Sequence, residues 1–137
     1  MSSNNLISKL NTELFTELST EQAAVVEGGL NQVQILTVRC IKAGADSDGT
    51  DEVFASFNGT DSNFGRPISM RTGSVANFGQ SGGSGNSIQV ALFDKDGSNR
   101  GAADLLGSFR VSSPVRNPQT RRISGNGSTY EVTFRAF

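Results

Sequence analysis

From residue 32 onward, apolar and polar side chains alternate in short runs separated by Gly, Ser, Asn and Asp. A period of two marks strands that turn one face to a core. Residues 32–42 are rich in Val, Ile, Leu and Thr. Residues 51–58 put Val53, Ala55 and Phe57 on one face, and 87–93 group Ile88, Val90 and Leu92. Residues 105–111 group Leu105, Phe109 and Val111. Residues 128–137 separate Tyr130, Val132, Phe134 and Ala136 from Glu131, Thr133 and Arg135. Weaker strand signals lie at 67–71, 73–78 and 120–124. The pattern predicts an all-β domain over residues 30–137, an antiparallel β-sandwich of seven to eight strands.

The first 29 residues have another character. They carry one Lys and four Glu and only one aromatic, Phe15. Phe15, Leu18, Gln22 and Val26 are spaced three, four and four apart, with Ala23 beside them, which is one face of a helix. Ser19 and Gln22 have the spacing of a capping box, and Gly28 and Gly29 would end the helix. One reading is an ordinary amphipathic helix with a glycine cap. The residues Phe15, Leu18, Ser19, Ala23, Val26, Gly28 and Gly29 also resemble the double-glycine leader peptides of bacterial secreted peptides. That resemblance implies a cleavable helical leader over 1–29 whose apolar face docks on the peptidase domain of an export ABC transporter. It implies cleavage after Gly29, a product starting at Leu30, and a secreted, extracellular protein. Ala23 is smaller than the family's usual residue, and Gln22 stands where an acid is frequent. A glycine pair has no side chains to obstruct a narrow peptidase cleft, so the segment reads as one for processing rather than for folding.

Composition removes whole classes of chemistry. The chain has 137 residues and no His, so histidine triads and imidazole ligands are excluded. Cys40 is the one cysteine, which rules out an intrachain disulfide and a thiolate zinc cluster. It lies within the first strand pattern and reads as a buried small apolar residue. No apolar run approaches the ~20 residues of a membrane helix. The formal net charge is −1, and no aromatic residues interleave with the basic ones, so nucleic acid is not an expected partner.

The acids are the informative residues. Beyond residue 29 there are nine, and seven lie in two short stretches: Asp46, Asp48, Asp51 and Glu52, then Asp94, Asp96 and Asp104. Each stretch follows an apolar strand and precedes another. Aspartate is a good turn residue, so solvated loops are one reading. If the two loops meet at one end of the sandwich, their charges repel, and a hard divalent cation relieves the repulsion. Calcium accepts six to eight oxygens in flexible geometry, whereas magnesium is stricter and zinc favours nitrogen and sulfur.

The run Asp46-Ser-Asp-Gly-Thr-Asp51-Glu-Val-Phe-Ala-Ser-Phe57 resembles the first calcium loop and following strand of the calcium-dependent lipid-binding domain of synaptotagmin and protein kinase C type, the C-two domain. Phe93-Asp94-Lys-Asp96, followed by Asp104-Leu-Leu-Gly-Ser-Phe109, is similar to that family's third loop. The resemblance implies calcium as cofactor and Asp46, Asp51, Asp94, Asp96 and Asp104 as its ligands, with Asp48 and Glu52 outside them. The first loop is one residue short, Glu52 replaces the usual Pro, and residues 97–103 form a longer insert than usual.

Other motifs fall away. Asp94-Lys-Asp96-Gly-Ser98 begins like an EF-hand loop but has Asn99 at the sixth position and Leu105 at the twelfth. A single glycine-rich run at 82–90 lacks the neighbours a stacked calcium repeat requires. Asn58 and Asn126 each head a glycosylation triplet, which carries little weight on a bacterial export route. Arg116, Arg121 and Arg122 form a small basic group, read as a solvated face or as a site for lipid headgroups or anionic polysaccharide. The expectation is a secreted, non-enzymatic calcium-binding protein. Alternatives are a calcium-dependent membrane or surface-polysaccharide module and a bacteriocin-like effector.

Overall fold

The computed structural model describes residues 29–137. Ten strands run in order: β1 (Val33–Lys42), β2 (Thr50–Phe57), β3 (Thr60–Asp61), β4 (Ile68–Arg71), β5 (Val75–Asn77), β6 (Ser81–Gly82), β7 (Ile88–Asp94), β8 (Asp104–Val111), β9 (Val115–Gly125) and β10 (Ser128–Ala136). Eight of them coincide with the strand signals of the sequence. The other two, β3 and β6, are two-residue pieces too short to show a period. The predicted leader helix, with Phe15, Leu18, Ala23, Val26 and Gly28, lies outside the described residues.

The strands form two antiparallel sheets. One has the order β5-β1-β10-β9, with β6 also pairing with β1; the other has the order β3-β2-β7-β8, with β4 also pairing with β2. Their inner faces supply one core. Tyr130, Val132, Phe134 and Ala136 of β10 are all fully buried, as are Val53 and Ala55 of β2 and Ile88, Val90 and Leu92 of β7. Strand β1 buries Val33, Ile35, Val38 and Cys40, and a register irregularity between Ile35 and Thr37 explains the change of phase.

Strand β8 departs from the expected alternation. Leu105 is exposed and Leu106 is buried. The ladder pairs Leu92 with Gly107 and Phe93 with Leu105, so Leu106 is an extra residue that shifts the phase. Gly107 sits at φ +141, and a Cβ there would lie 2.6 Å from Cβ of Ile123, so only glycine fits this bulge. Strand β9 is longer than its sequence signal because most of it lies exposed at a sheet edge, where Arg, Asn and Pro are tolerated.

The two glycosylation triplets are hairpin turns. Asn58 and Asn126 adopt φ 51 and are followed by glycines at positive φ, the Asn-Gly signature of a two-residue hairpin. Leu30 already belongs to the core at 1% exposure, and it exchanges backbone hydrogen bonds with Gly85 at 2.6 and 2.9 Å.

Candidate metal centre

The alternation that builds the core also builds the site. Carried one step towards its start, the inward series Phe57, Ala55, Val53 of β2 reaches Asp51. Carried one step forward, the series Ile88, Val90, Leu92 of β7 reaches Asp94. Because β2 and β7 are antiparallel, with Val53 opposite Asp94, both carboxylates arrive at the same end of the sandwich. Both are fully buried. Burying a carboxylate is costly unless something compensates its charge.

Asp94 has one compensated oxygen. Its Oδ1 accepts the Glu52 amide at 2.7 Å, while Oδ2 is buried without a hydrogen-bond partner. Three further carboxylates surround it. Asp46, Asp94, Asp96 and Asp104 each offer an oxygen within 4.8 Å of the others. Like charges at this spacing repel by about 1 to 3.5 kcal/mol per pair between aqueous and surface-like dielectric. The strain shows in the acidities. Burial, and then Asp46 and Asp51 close by, push the Asp94 carboxyl up to about 8 against the lowering effect of the Glu52 amide. Asp104 is also raised, first by its hydrogen-bonding contact with Asp96. Glu52 is raised by burial and by the neighbouring Asp46.

Loop geometry delivers the outer carboxylates. Asp48 Oδ1 accepts the Thr50 amide at 3.0 Å, and the Gly49 amide bonds back to the Asp46 carbonyl at 3.3 Å, so a tight turn carries Asp46 over the rim. The Thr50 amide also holds the Asp48 carboxyl below the usual carboxylate range. Across the rim, Asn99 Oδ1 accepts the Gly101 amide at 2.9 Å and caps a short 3-10 turn over Arg100–Ala102. The chain thereby returns Asp104 beside Asp96.

Of the five expected ligands, four converge in this way. Asp51 lies at the same rim but is engaged differently. Its Oδ2 accepts the hydroxyls of Ser128 at 2.7 Å and Tyr130 at 2.5 Å, and its Oδ1 is buried without a partner. Ser128 Oγ in turn accepts the amides of Gly44 and Ala45 at 2.9 and 3.0 Å. Asp51 therefore braces the first loop from below. The Tyr130 hydroxyl is made less acidic by burial and by Asp51, and burial does the same to the Cys40 thiol, which is the expected state of a buried, inert cysteine. The roles of Ser128 and Tyr130 escape sequence reasoning; Tyr130 reads there only as a core aromatic.

The donor set suits a hard cation. It is all carboxylate oxygen, at least one donor is buried and uncompensated, and among the described residues there is no second cysteine and no histidine to favour a softer metal.

No known sequence family matches the chain, and no curated protein matches it. Among solved structures, it is similar to a C2 domain at 13% identity and TM-score 0.45, covering 77% of this chain and 97% of the other. It is also similar to the C2 domain lettered A of a plant extended synaptotagmin 1, at 8% identity and TM-score 0.49, covering 79% and 93%. A C2 domain protein from Ramazzottius varieornatus gives 15% identity and TM-score 0.41, covering 80% and 89%.

Proposed function

We propose that the domain is a non-enzymatic calcium-binding module. Asp46, Asp94, Asp96 and Asp104 would hold the ion at the rim, and Asp51 would fix the first loop from beneath. One observation carries the reading: the fully buried Asp94 carboxylate, with Oδ2 unpartnered, aimed among three other carboxylates. A cation there would offset the repulsion among the four carboxylates. The resemblance of both acidic loops to the C-two calcium loops supports the same choice of ion. Binding to the folded state alone would add ~2.7 kcal/mol at 100 times the dissociation constant. Melting in calcium against melting in chelator tests this. A rise of several degrees is expected, and coincident curves would overturn it.

The wider setting belongs to the same proposal. A double-glycine leader over 1–29 would send the domain through a peptidase-bearing ABC transporter to an extracellular medium where calcium is plentiful. The product would begin at Leu30, which is buried, as is Gly29 before it. The mass of the native product tests it: a chain starting at Leu30 is expected, and one retaining residues 1–29 outside the cell would refute it.

A second reading, attachment to an anionic polysaccharide or lipid surface, is favoured by Arg116, Arg121 and Arg122, all exposed along β9. The loop tips argue against membrane insertion. Ser47, Gly49, Gly97, Ser98 and Asn99 are exposed and present no apolar wedge.

A further inference from the structure

The insert at residues 97–103 joins two of the site's carboxylates, Asp96 and Asp104, and its middle is fastened away from them. Arg100 lies over the outer face of the β3-β2-β7-β8 sheet. Its Nε donates to Asp61 Oδ2 at 2.7 Å. Its guanidinium carbon stands 4.1 Å from the Phe93 ring centroid and 5.0 Å from that of Phe54. The two rings are stacked at 5.4 Å, and Phe64 meets Phe54 edge-on at 5.0 Å. Lys95, between Asp94 and Asp96, extends to the same shelf, with Nζ 4.4 Å from the Phe64 centroid. Phe54 points outward from its sheet yet is fully buried. Cation–aromatic contacts are strongest where the ring is desolvated.

Resting on the calcium reading above, we propose that Arg100 is a positioning residue for the carboxylate site, locking the insert to the Phe54, Phe93 and Asp61 shelf so that Asp96 and Asp104 are held together before the ion arrives. A free seven-residue insert would have to be ordered at the moment of binding, and that ordering subtracts from affinity. The same fastening holds a cation outside the ring of acids, where it does not compete with the ion.

Calorimetric titration of the purified domain with calcium chloride tests this. Arg100→Met keeps the packing on Phe93 but removes the ion pair and the charge over the rings. We expect its dissociation constant to rise about fivefold to tenfold, as for a site that must first be ordered. Asp61→Asn should weaken binding in the same direction, and the double variant should be little worse than the worse single one, since both break one contact. Arg100→Lys should recover part of the loss. A merely structural role would lower the melting temperature in chelator and leave the dissociation constants alone. Wild-type protein that takes up no calcium overturns the proposed function. Wild-type protein that binds, with the Arg100→Met and Asp61→Asn constants unchanged or lowered, overturns the positioning role alone.

Discussion

Replacing Asp94 by Asn should change stability in opposite directions with and without calcium. The wild-type carboxyl is fully buried, keeps one oxygen unpartnered and is pushed up to about 8. Near neutrality the folded, metal-free domain therefore carries the cost of protonating this group or of burying its charge. The gap between an ordinary Asp and about 8, read at pH 7, spans roughly three pH units, each worth about 1.4 kcal/mol. Asparagine keeps an acceptor for the Glu52 amide and removes the charge, though its amide still has to be buried. The metal-free variant should gain about 2–4 kcal/mol, enough to raise the melting temperature by roughly 10 °C or more in a domain of this size. In calcium the order reverses: the wild type is stabilised by the ion, and the variant, having lost its buried ligand, shows little or no shift. Thermal unfolding followed by circular dichroism, in chelator and in millimolar calcium, reads both effects. A metal-free variant less stable than wild type by more than about 1 kcal/mol would refute the reasoning, because repulsion would then not be the governing force at this rim. So would a calcium shift that survives the substitution undiminished.

The pH dependence follows from the same group. Because the folded carboxyl titrates at about 8 and the unfolded one near its ordinary value, the folded state holds the extra proton between them. Stability of the metal-free domain should fall as pH rises from about 4 to about 8, by at most about 1.4 kcal/mol per unit, and saturating calcium should flatten the slope; urea titrations across this range check it. Asp51→Ala should behave unlike Asp94→Asn. It strands the buried hydroxyls of Ser128 and Tyr130, and should cost about 2 kcal/mol or more in the metal-free domain, as measured by urea midpoint. Gly107→Ala forces a methyl to 2.6 Å from Ile123 Cβ and 2.8 Å from the Ser124 nitrogen, and should cost about 2 kcal/mol or more by the same measurement. The Leu30 amide, bonded to the Gly85 carbonyl at 2.6 Å beside a buried side chain, should exchange with deuterium as slowly as the core strands. If so, any cleavage after Gly29 has to precede folding; exchange at the rate of an exposed loop would remove that constraint.

The sequence exposes most strands because one face of each is apolar and the other is not. It also exposes Asp51 and Asp94 as a pair, since each extends an inward series by one step. It fails where a contact joins distant parts of the chain without leaving a period. Nothing in the spacing of residues 44–52 announces Ser128 or Tyr130, which lie 77 and 79 residues from Asp51. The bulge at Leu106 is equally silent, because Leu105 and Leu106 are the same residue type and either phase satisfies the pattern. Arg100 reads as a lone exposed cation until Asp61, Phe54 and Phe93 are seen beneath it.

The direction in which the rim's cations point bears on what the site is for. Lys95 lies between Asp94 and Asp96 in sequence, and Arg100 between Asp96 and Asp104. Both lie over the outer aromatic shelf, Lys95 at 4.4 Å from Phe64 and Arg100 at 4.1 Å from Phe93. Turning the cations out leaves the fold with a buried, uncompensated carboxylate, which costs stability in the absence of a ligand. A positive charge small enough to sit among four carboxylates, bound from outside, would reverse that cost. On the proposed function, the stability of the domain would therefore report the presence of such an ion.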